Sequence, residues 1–194
     1  MRGIILLGLL AGALCALASG CSDDSPVVVI RTSLGDVEVE IYQEAAPLTA
    51  GNFLKYVREK RFEGAIFYRT VTMDNQPDND IKIEVIQGGL GEDPLGLGLP
   101  AIEHETTEQT GLKHLDGTIS MARAEPGTAS SEMFICIGDQ PELDFGGRRN
   151  PDGRGFAAFG RVIRGMDVVL KIQAQPADGQ MLDPEIAILG IEAM

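Results

Sequence analysis

Two histidines and three cysteines are all that this 194-residue chain offers for soft-metal or thiol chemistry. That scarcity removes several function classes. His104 and His114 are ten residues apart, with no cysteine nearby and no H-x-x-x-H spacing, so no zinc site is expected. Cys15 and Cys21 belong to an N-terminal segment treated below, which leaves Cys136 alone in the apolar run 133–137. No intramolecular disulfide is then available, and the expected state of Cys136 is a buried, inert thiol. The chain lacks a G-x-S-x-G motif, and a serine hydrolase would need a better base than these histidines offer. Positive charge is also short: 16 Lys and Arg face 29 Asp and Glu, a formal net charge of −13. Such a balance disfavours nucleic acid and anionic lipid as partners. Gly88, Gly89 and Gly91, then Gly96 and Gly98, follow a strand-like segment, but no third glycine opens a helix as a dinucleotide fingerprint requires. Asp74, Gln76, Asp78 and Asp80 alternate like a calcium loop. Asn79 stands where the sharp-turn glycine belongs and Val85 where the bidentate glutamate belongs, so the stretch reads as a solvated hairpin tip. No metal and no cofactor is expected.

No apolar run is long enough for a comfortable membrane span. The one candidate, residues 4–18, is shorter than the ~20 residues a spanning helix needs. It follows a single basic residue, Arg2, and ends in Ala18-Ser19-Gly20-Cys21, the pattern of a signal peptide with small residues before a cysteine. The expectation is a bacterial lipoprotein: signal 1–20, Cys21 lipidated as the first mature residue, a polar tether 21–26 and one domain over 27–194. Ordinary secretion with cleavage nearby is the alternative. The site implied is the periplasm, with the chain anchored to a membrane through Cys21. The remaining length is enough for one domain with a real core.

Along that domain, residues 27–32 and 36–42 flank Leu34-Gly35 as a hairpin. Its second arm alternates acid and aliphatic, so one of its faces is wet. Pro47 suits a first helical turn, and Leu48, Ala50, Phe53, Leu54 and Val57 recur at helical spacing up to Lys60. Residues 66–71, 81–87, 117–122, 133–137, 156–162 and 185–191 read as strands between Gly, Pro and Asp loops, and 166–172 as a short second helix. Many short antiparallel strands with two helices predict a closed barrel, which leaves no sheet edge exposed.

One arginine and one glutamine interrupt these apolar strands: Phe67-Tyr68-Arg69 is followed by Val85-Ile86-Gln87-Gly88-Gly89, then by Ser120-Met121-Ala122-Arg123-Ala124 and Met133-Phe134-Ile135-Cys136. A cation among strands is costly unless a partner or ligand uses it. Taken singly, Arg69 reads as a surface arginine at a strand end and Phe134 as core. In this order the segments resemble the cyclophilin family of peptidyl-prolyl cis-trans isomerases, over residues 27–191.

The resemblance implies a mainly β fold, a closed eight-stranded antiparallel barrel capped by two α-helices. It implies an enzyme that accelerates proline-limited folding of exported proteins, acts on proline-containing segments, is expected to work as a monomer and needs no cofactor. It assigns catalysis to Arg69 and Gln87: Arg69 faces the prolyl nitrogen and Gln87 the rotating carbonyl. Substrate contacts fall to Phe67, Val85, Ala122, Arg123, Glu132, Met133, Phe134, Leu143 and Phe156, with Val85, Phe134 and Leu143 as the proline pocket. A membrane-tethered module that binds proline segments or acts as a holdase with little turnover is the alternative of a different class. The chain departs from the family by insertions at 72–83 and 145–155. Glu84 and Met133 stand where many members have phenylalanine, Glu132 replaces a glutamine, and Phe156 falls at a common histidine. Glu142 replaces a tryptophan that supports cyclosporin binding. Arg148, Arg149 and Arg154 in the second insertion are expected to form a basic rim.

Overall fold

A computed structural model describes residues 25–194. The expected signal 1–20, the lipidation residue Cys21 and most of the tether 21–26 lie outside the described residues. The elements, in chain order, are β1 (Val27–Thr32), β2 (Gly35–Ile41), α1 (Pro47–Arg58), β3 (Ile66–Val71), β4 (Val85–Gly89), α2 (Thr107–Thr110), β5 (Thr118–Met121) and β6 (Met133–Cys136). A 3-10 turn at Pro141–Leu143, β7 (Ala157–Arg164), α3 (Met166–Gln173), β8 (Ala177–Asp178) and β9 (Met181–Ala193) follow. The strands run in the order β1-β2-β7-β5-β6-β4-β3-β9, and β9 pairs back onto β1, which closes eight antiparallel strands into a ring. This is the barrel expected from the sequence. Among the described residues no helix is long and apolar enough to cross a membrane.

Alternation fills the interior. In β2, Val37, Val39 and Ile41 are fully buried between exposed Asp36 and half-buried Glu38 and Glu40, and the facing β1 residues Val28 and Ile30 are equally buried. Phe67, Ile86, Ile119, Met121, Met133, Ile135 and Phe159 complete the inner layer. Helix α1 begins on Pro47 and turns Ala50, Phe53, Tyr56 and Val57 inward, with Phe53 5.1 Å from Phe159 between ring centroids. Leu48, at the expected apolar spacing, is exposed on its outer side. Helix α3 buries Val168, Val169 and Ile172.

Three elements differ from expectation. A third helix, α2, is a single turn fixed by a capping box in which Thr106 and Gln109 exchange side-chain and backbone hydrogen bonds. The two-residue β8 pairs only with β9 and forms a small hairpin outside the ring. The strand expected over 81–87 starts only at Val85, because Gln76, 1 % exposed, supplies the partners a ladder would have given. Its Nε2 donates to Ile83 O (2.8 Å) and Thr72 O (2.7 Å), and its Oε1 accepts from Ile83 N (3.3 Å). The insertion 72–83 is thus a held loop.

The Q-G-G segment is dictated by crowding. A Cβ on Gly88 would strike the carbonyl of Ile66 and lie 2.8 Å from Phe67 Cδ1, while Gly89 sits at φ +156° with Glu132 and Ser131 against the space a side chain would take. Gly88→Ala is therefore expected to cost about 1–3 kcal/mol of stability through overpacking. The readout is a lower urea midpoint at unchanged m value.

Candidate functional site

Because side chains fill the barrel, the polar groups project from its outer wall. A second apolar cluster lies there: Val71, Ile83, Val85, Phe134, Cys136 and Leu143, with Ala122 and Phe156 packed against it. These residues alternate along β3, β4 and β6 with those of the inner core, as a period of two requires. One irregularity matters most. Phe67 pairs with Gly88 and Arg69 with the next β4 residue, Gln87, so two steps on β3 match one on β4 and Tyr68 is the extra residue of a bulge. Without it Phe67 and Arg69 would share a face. With it Phe67 points inward and Arg69 outward.

Arg69 is held by amide oxygens. Its Nε and Nη2 donate to Gln180 Oε1 at 3.0 and 2.6 Å, and its Nη1 donates to Gln87 Oε1 at 2.8 Å. Burial pulls its pKa below the usual arginine value, yet a guanidinium stays charged at any working pH. Gln87 Nε2 donates to the Tyr68 hydroxyl (2.7 Å), which donates to Glu132 Oε2 (2.7 Å). Glu132 Oε1 accepts from Ser131 Oγ and Gly91 N. This chain fixes the Gln87 amide with its oxygen toward Arg69 and leaves one Nε2 hydrogen uncommitted. Burial, reinforced by the hydrogen bond to Glu132 and its charge, raises the Tyr68 pKa far above that of a free phenol, so the hydroxyl stays protonated.

Arg69 and Gln87 border a recess of about 130 Å³ whose other walls are Ile83, Val85, Ala122, Arg123, Phe134, Leu143 and Phe156. That volume suits one small ring and falls below the roughly 300–1,000 Å³ of sites for drug-sized ligands. Phe134 and Phe156 meet edge to face, centroids 5.2 Å apart. The Arg123 side chain is 1 % exposed and lies over Phe156; it pairs with both oxygens of Asp152 (2.8 and 3.0 Å) and with Gly155 O. It therefore anchors the second insertion to the rim.

The structure thus brings together Arg69, Gln87, Val85, Ala122, Arg123, Phe134, Leu143 and Phe156. It does not place Phe67 or Met133 with them. Both are fully buried inside the barrel, Phe67 because of the Tyr68 bulge and Met133 because it alternates with Phe134. Glu132 acts through Tyr68 and is not part of the recess wall. Of the three arginines expected as a basic rim, one is corrected: Arg148 pairs with Glu142 at 2.7 Å, so those two charges cancel, whereas Arg149 donates to the Ile81 carbonyl. Three participants had no signal in the sequence reading. Ile83 lies in the held loop, Tyr68 is the bulge, and Gln180 comes from the β8–β9 hairpin 111 residues beyond Arg69. Cys136 is fully buried, and burial raises its pKa well above the ordinary thiol value.

Beneath Phe134 lies a constellation that no sequence motif joins. His114 Nδ1 is 2.8 Å from Asp144 Oδ1, and its Nε2 is 2.9 Å from Ser120 Oγ. A carboxylate only accepts, so Nδ1 carries a proton and donates to Asp144. The spacing is that of a hydrolytic triad, but Ser120 is fully buried and no substrate carbonyl can reach it. The imidazole instead stacks under Phe134, centroids 5.9 Å apart and planes 15° from parallel. Asp144 follows Leu143, so the three residues hold two walls of the recess in place.

Residues 27–193 match the family model described as cyclophilin type peptidyl-prolyl cis-trans isomerase/CLD. The chain is 36% identical over 174 residues to a peptidyl-prolyl cis-trans isomerase of Acinetobacter baylyi, covering 89% of this chain and 81% of that protein. It is 35% identical over 150 residues to peptidyl-prolyl cis-trans isomerase B of Escherichia coli, covering 76% and 84%. Among solved structures, a cyclophilin type peptidyl-prolyl cis-trans isomerase of Cryptosporidium parvum superposes with a TM-score of 0.70 at 23% identity, over 88% of this chain and 98% of that one.

The buried trio gives a pH-dependent expectation. Burial alone would raise the Asp144 carboxyl, but hydrogen bonds from the His114 side chain and backbone, with the charges of His114 and Lys113, hold it below 3.8. A depressed carboxyl stabilises the fold above its unfolded value, and that contribution is lost as pH falls through the folded value. Asp144→Asn is expected to cost about 1–3 kcal/mol at pH 7. In urea unfolding from pH 7 to pH 2, the difference from wild type should shrink below 3.8.

Proposed function

Since the chain belongs to the cyclophilin-type peptidyl-prolyl cis-trans isomerase family, we propose that Arg69 is the group that stabilises the twisted prolyl amide. The observation that supports this reading is a guanidinium at the edge of a small apolar recess, bound only to amide oxygens among the described residues. Rotation about an X-Pro bond breaks no covalent bond. Its barrier of roughly 18–20 kcal/mol is amide resonance, and uncatalysed exchange takes tens to hundreds of seconds or so. As the bond twists, the proline nitrogen becomes pyramidal and gains a lone pair. A cation aimed at that nitrogen binds the twisted form more tightly than either planar isomer, which is the condition for raising the rate.

The neighbours divide the remaining work. Val85, Phe134, Leu143 and Phe156 grip the proline ring and exclude water, which strengthens the electrostatic interaction. The free Nε2 hydrogen of Gln87 offers a donor to the substrate carbonyl as it turns. No step needs a proton to leave or arrive, so the high pKa of Tyr68 and the permanent charge of Arg69 are compatible with turnover across neutral pH. Each tenfold acceleration needs about 1.4 kcal/mol of preferential stabilisation, within reach of a few charge-assisted hydrogen bonds.

The clients in this reading are exported polypeptides, because residues 1–21 carry a lipoprotein-type signal and an acceptor cysteine. The enzyme would then act at the periplasmic face of a bacterial membrane, tethered by lipid on Cys21. If so, Cys21→Ser in the full chain moves the protein from the membrane fraction to the soluble one. Retention of the variant in the membrane would refute the anchor.

Catalysis is tested by NMR exchange spectroscopy on a short Ala-Pro peptide with the domain from Ser22 onward. Arg69→Ala is expected to slow exchange by about a hundredfold while peptide affinity changes little, and Phe134→Ala should reduce both. A folded Arg69→Ala protein with wild-type turnover would refute the assignment.

A further inference from the structure

The two insertions meet at the mouth of the recess, and a second arginine joins them. Arg149 is tethered beside one wall, its backbone N–H donating to Glu142 O at 3.1 Å, next to Leu143. Its side chain crosses to the other insertion, where Nη1 donates to Ile81 O at 2.6 Å, two residues before the wall residue Ile83. Both supports are held. The loop after Leu143 is closed by Gly146 N to Gly153 O (2.7 Å) and Phe156 N to Leu143 O (2.9 Å), and the loop before Val85 by Gln76.

The charge balance at this mouth is unlike that of the rest of the chain. Arg123 is matched by Asp152 and Arg148 by Glu142. Among the described residues, neither Arg69 nor Arg149 forms an ion pair; Arg69 has only amide partners and Arg149 only the Ile81 carbonyl. Burial, and then the positive charge of Arg69, lowers the pKa of Arg149. One hydrogen bond leaves most of the five guanidinium donors of Arg149 free. None of its nitrogens is among the buried atoms lacking partners, so its unpartnered nitrogens are reached by solvent. Two guanidinium groups beside one recess, neither in an ion pair among the described residues, raise the local affinity for an anion, here in a protein of net charge −13.

We infer that Arg149 is a specificity residue that selects prolyl segments carrying an acidic side chain within two residues of the proline. The inference rests on the proposed prolyl site but makes a separate demand. Catalysis needs Arg69 and the apolar walls. The acidic preference needs a second guanidinium outside them, with a fork that a carboxylate matches in two hydrogen bonds.

The test uses blocked peptides, acetylated and amidated, with Glu either directly before the proline or two residues after it, each paired with a Gln twin. At low salt the wild-type domain should exchange the Glu peptide about threefold or more faster than its twin in at least one position. The preference should weaken in 0.5 M salt, roughly the range where the Debye length drops toward a few ångströms. Arg149→Gln should bring the ratio to about one, and Arg149→Lys should keep part of it. A wild-type ratio near one at both positions, or a preference that survives Arg149→Gln, overturns the inference. Affinities from shift titrations of the same pairs read the preference without turnover, so a domain that bound Glu over Gln yet failed to accelerate exchange would count against the role of Arg69 alone.

Discussion

A guanidinium that is largely withdrawn from water must be held, and the choice of partner decides what it can still do. Arg69 is held by two glutamine side chains, Gln87 and Gln180. A carboxylate in either place would stabilise the cation more strongly, but it would also cancel the charge that the proposed mechanism uses and compete with the substrate nitrogen for the same donors. Neutral amides position the fork and leave its charge undiminished. The Gln180 amide is itself fixed, since its Nε2 donates to Asn75 O, so the small β8–β9 hairpin and the first insertion both serve to aim one arginine. Asn75 closes that connection by donating to Thr70 O and Gly179 O.

The outward position of this assembly follows from the filled barrel. Eight strands leave an interior just wide enough for side chains, and here Phe67, Ile86, Met121, Met133 and Ile135 occupy it. Gly88 and Gly89 let β4 pass close to β3 and to Glu132 at the point where Gln87 must face out. The recess beside Arg69 forms where the second insertion and the 3-10 turn rise above the wall, which brings Leu143 and Phe156 over Phe134.

Much of this was legible from residue pattern. The acid-aliphatic alternation of β2 marked a strand with one wet face, helical spacing after Pro47 marked α1, and a cation within an apolar strand marked Arg69 as built for a purpose. The family resemblance supplied the roles and the ring of eight strands. The pattern failed where one residue changed phase. Strict alternation puts Phe67 and Arg69 on one face, and only a bulge, which no composition announces, separates them. Likewise, Ile81 to Glu84 have strand-like residues but give up the ladder to a glutamine side chain. Gln180 is unremarkable in sequence, because its role depends on a hairpin folding back across the whole length of the domain.

His114, Asp144 and Ser120 make the same point about chemistry. Neither their spacing along the chain nor any motif joins them, yet the fold sets them in the geometry that activates a serine. What separates an acid-base relay from a structural strut is access. A nucleophile must meet its substrate, and Ser120 is sealed within β5 while the imidazole lies flat against Phe134. A rotating amide asks for no proton, so the protein gains nothing from a mobile one at this position. It gains from stiffness, because an apolar wall that shifted by an ångström would let a bound proline ring move away from the charge that the proposed mechanism brings to its nitrogen. Satisfied buried hydrogen bonds supply that stiffness at low cost, since each donor and acceptor in the trio has its partner within the fold.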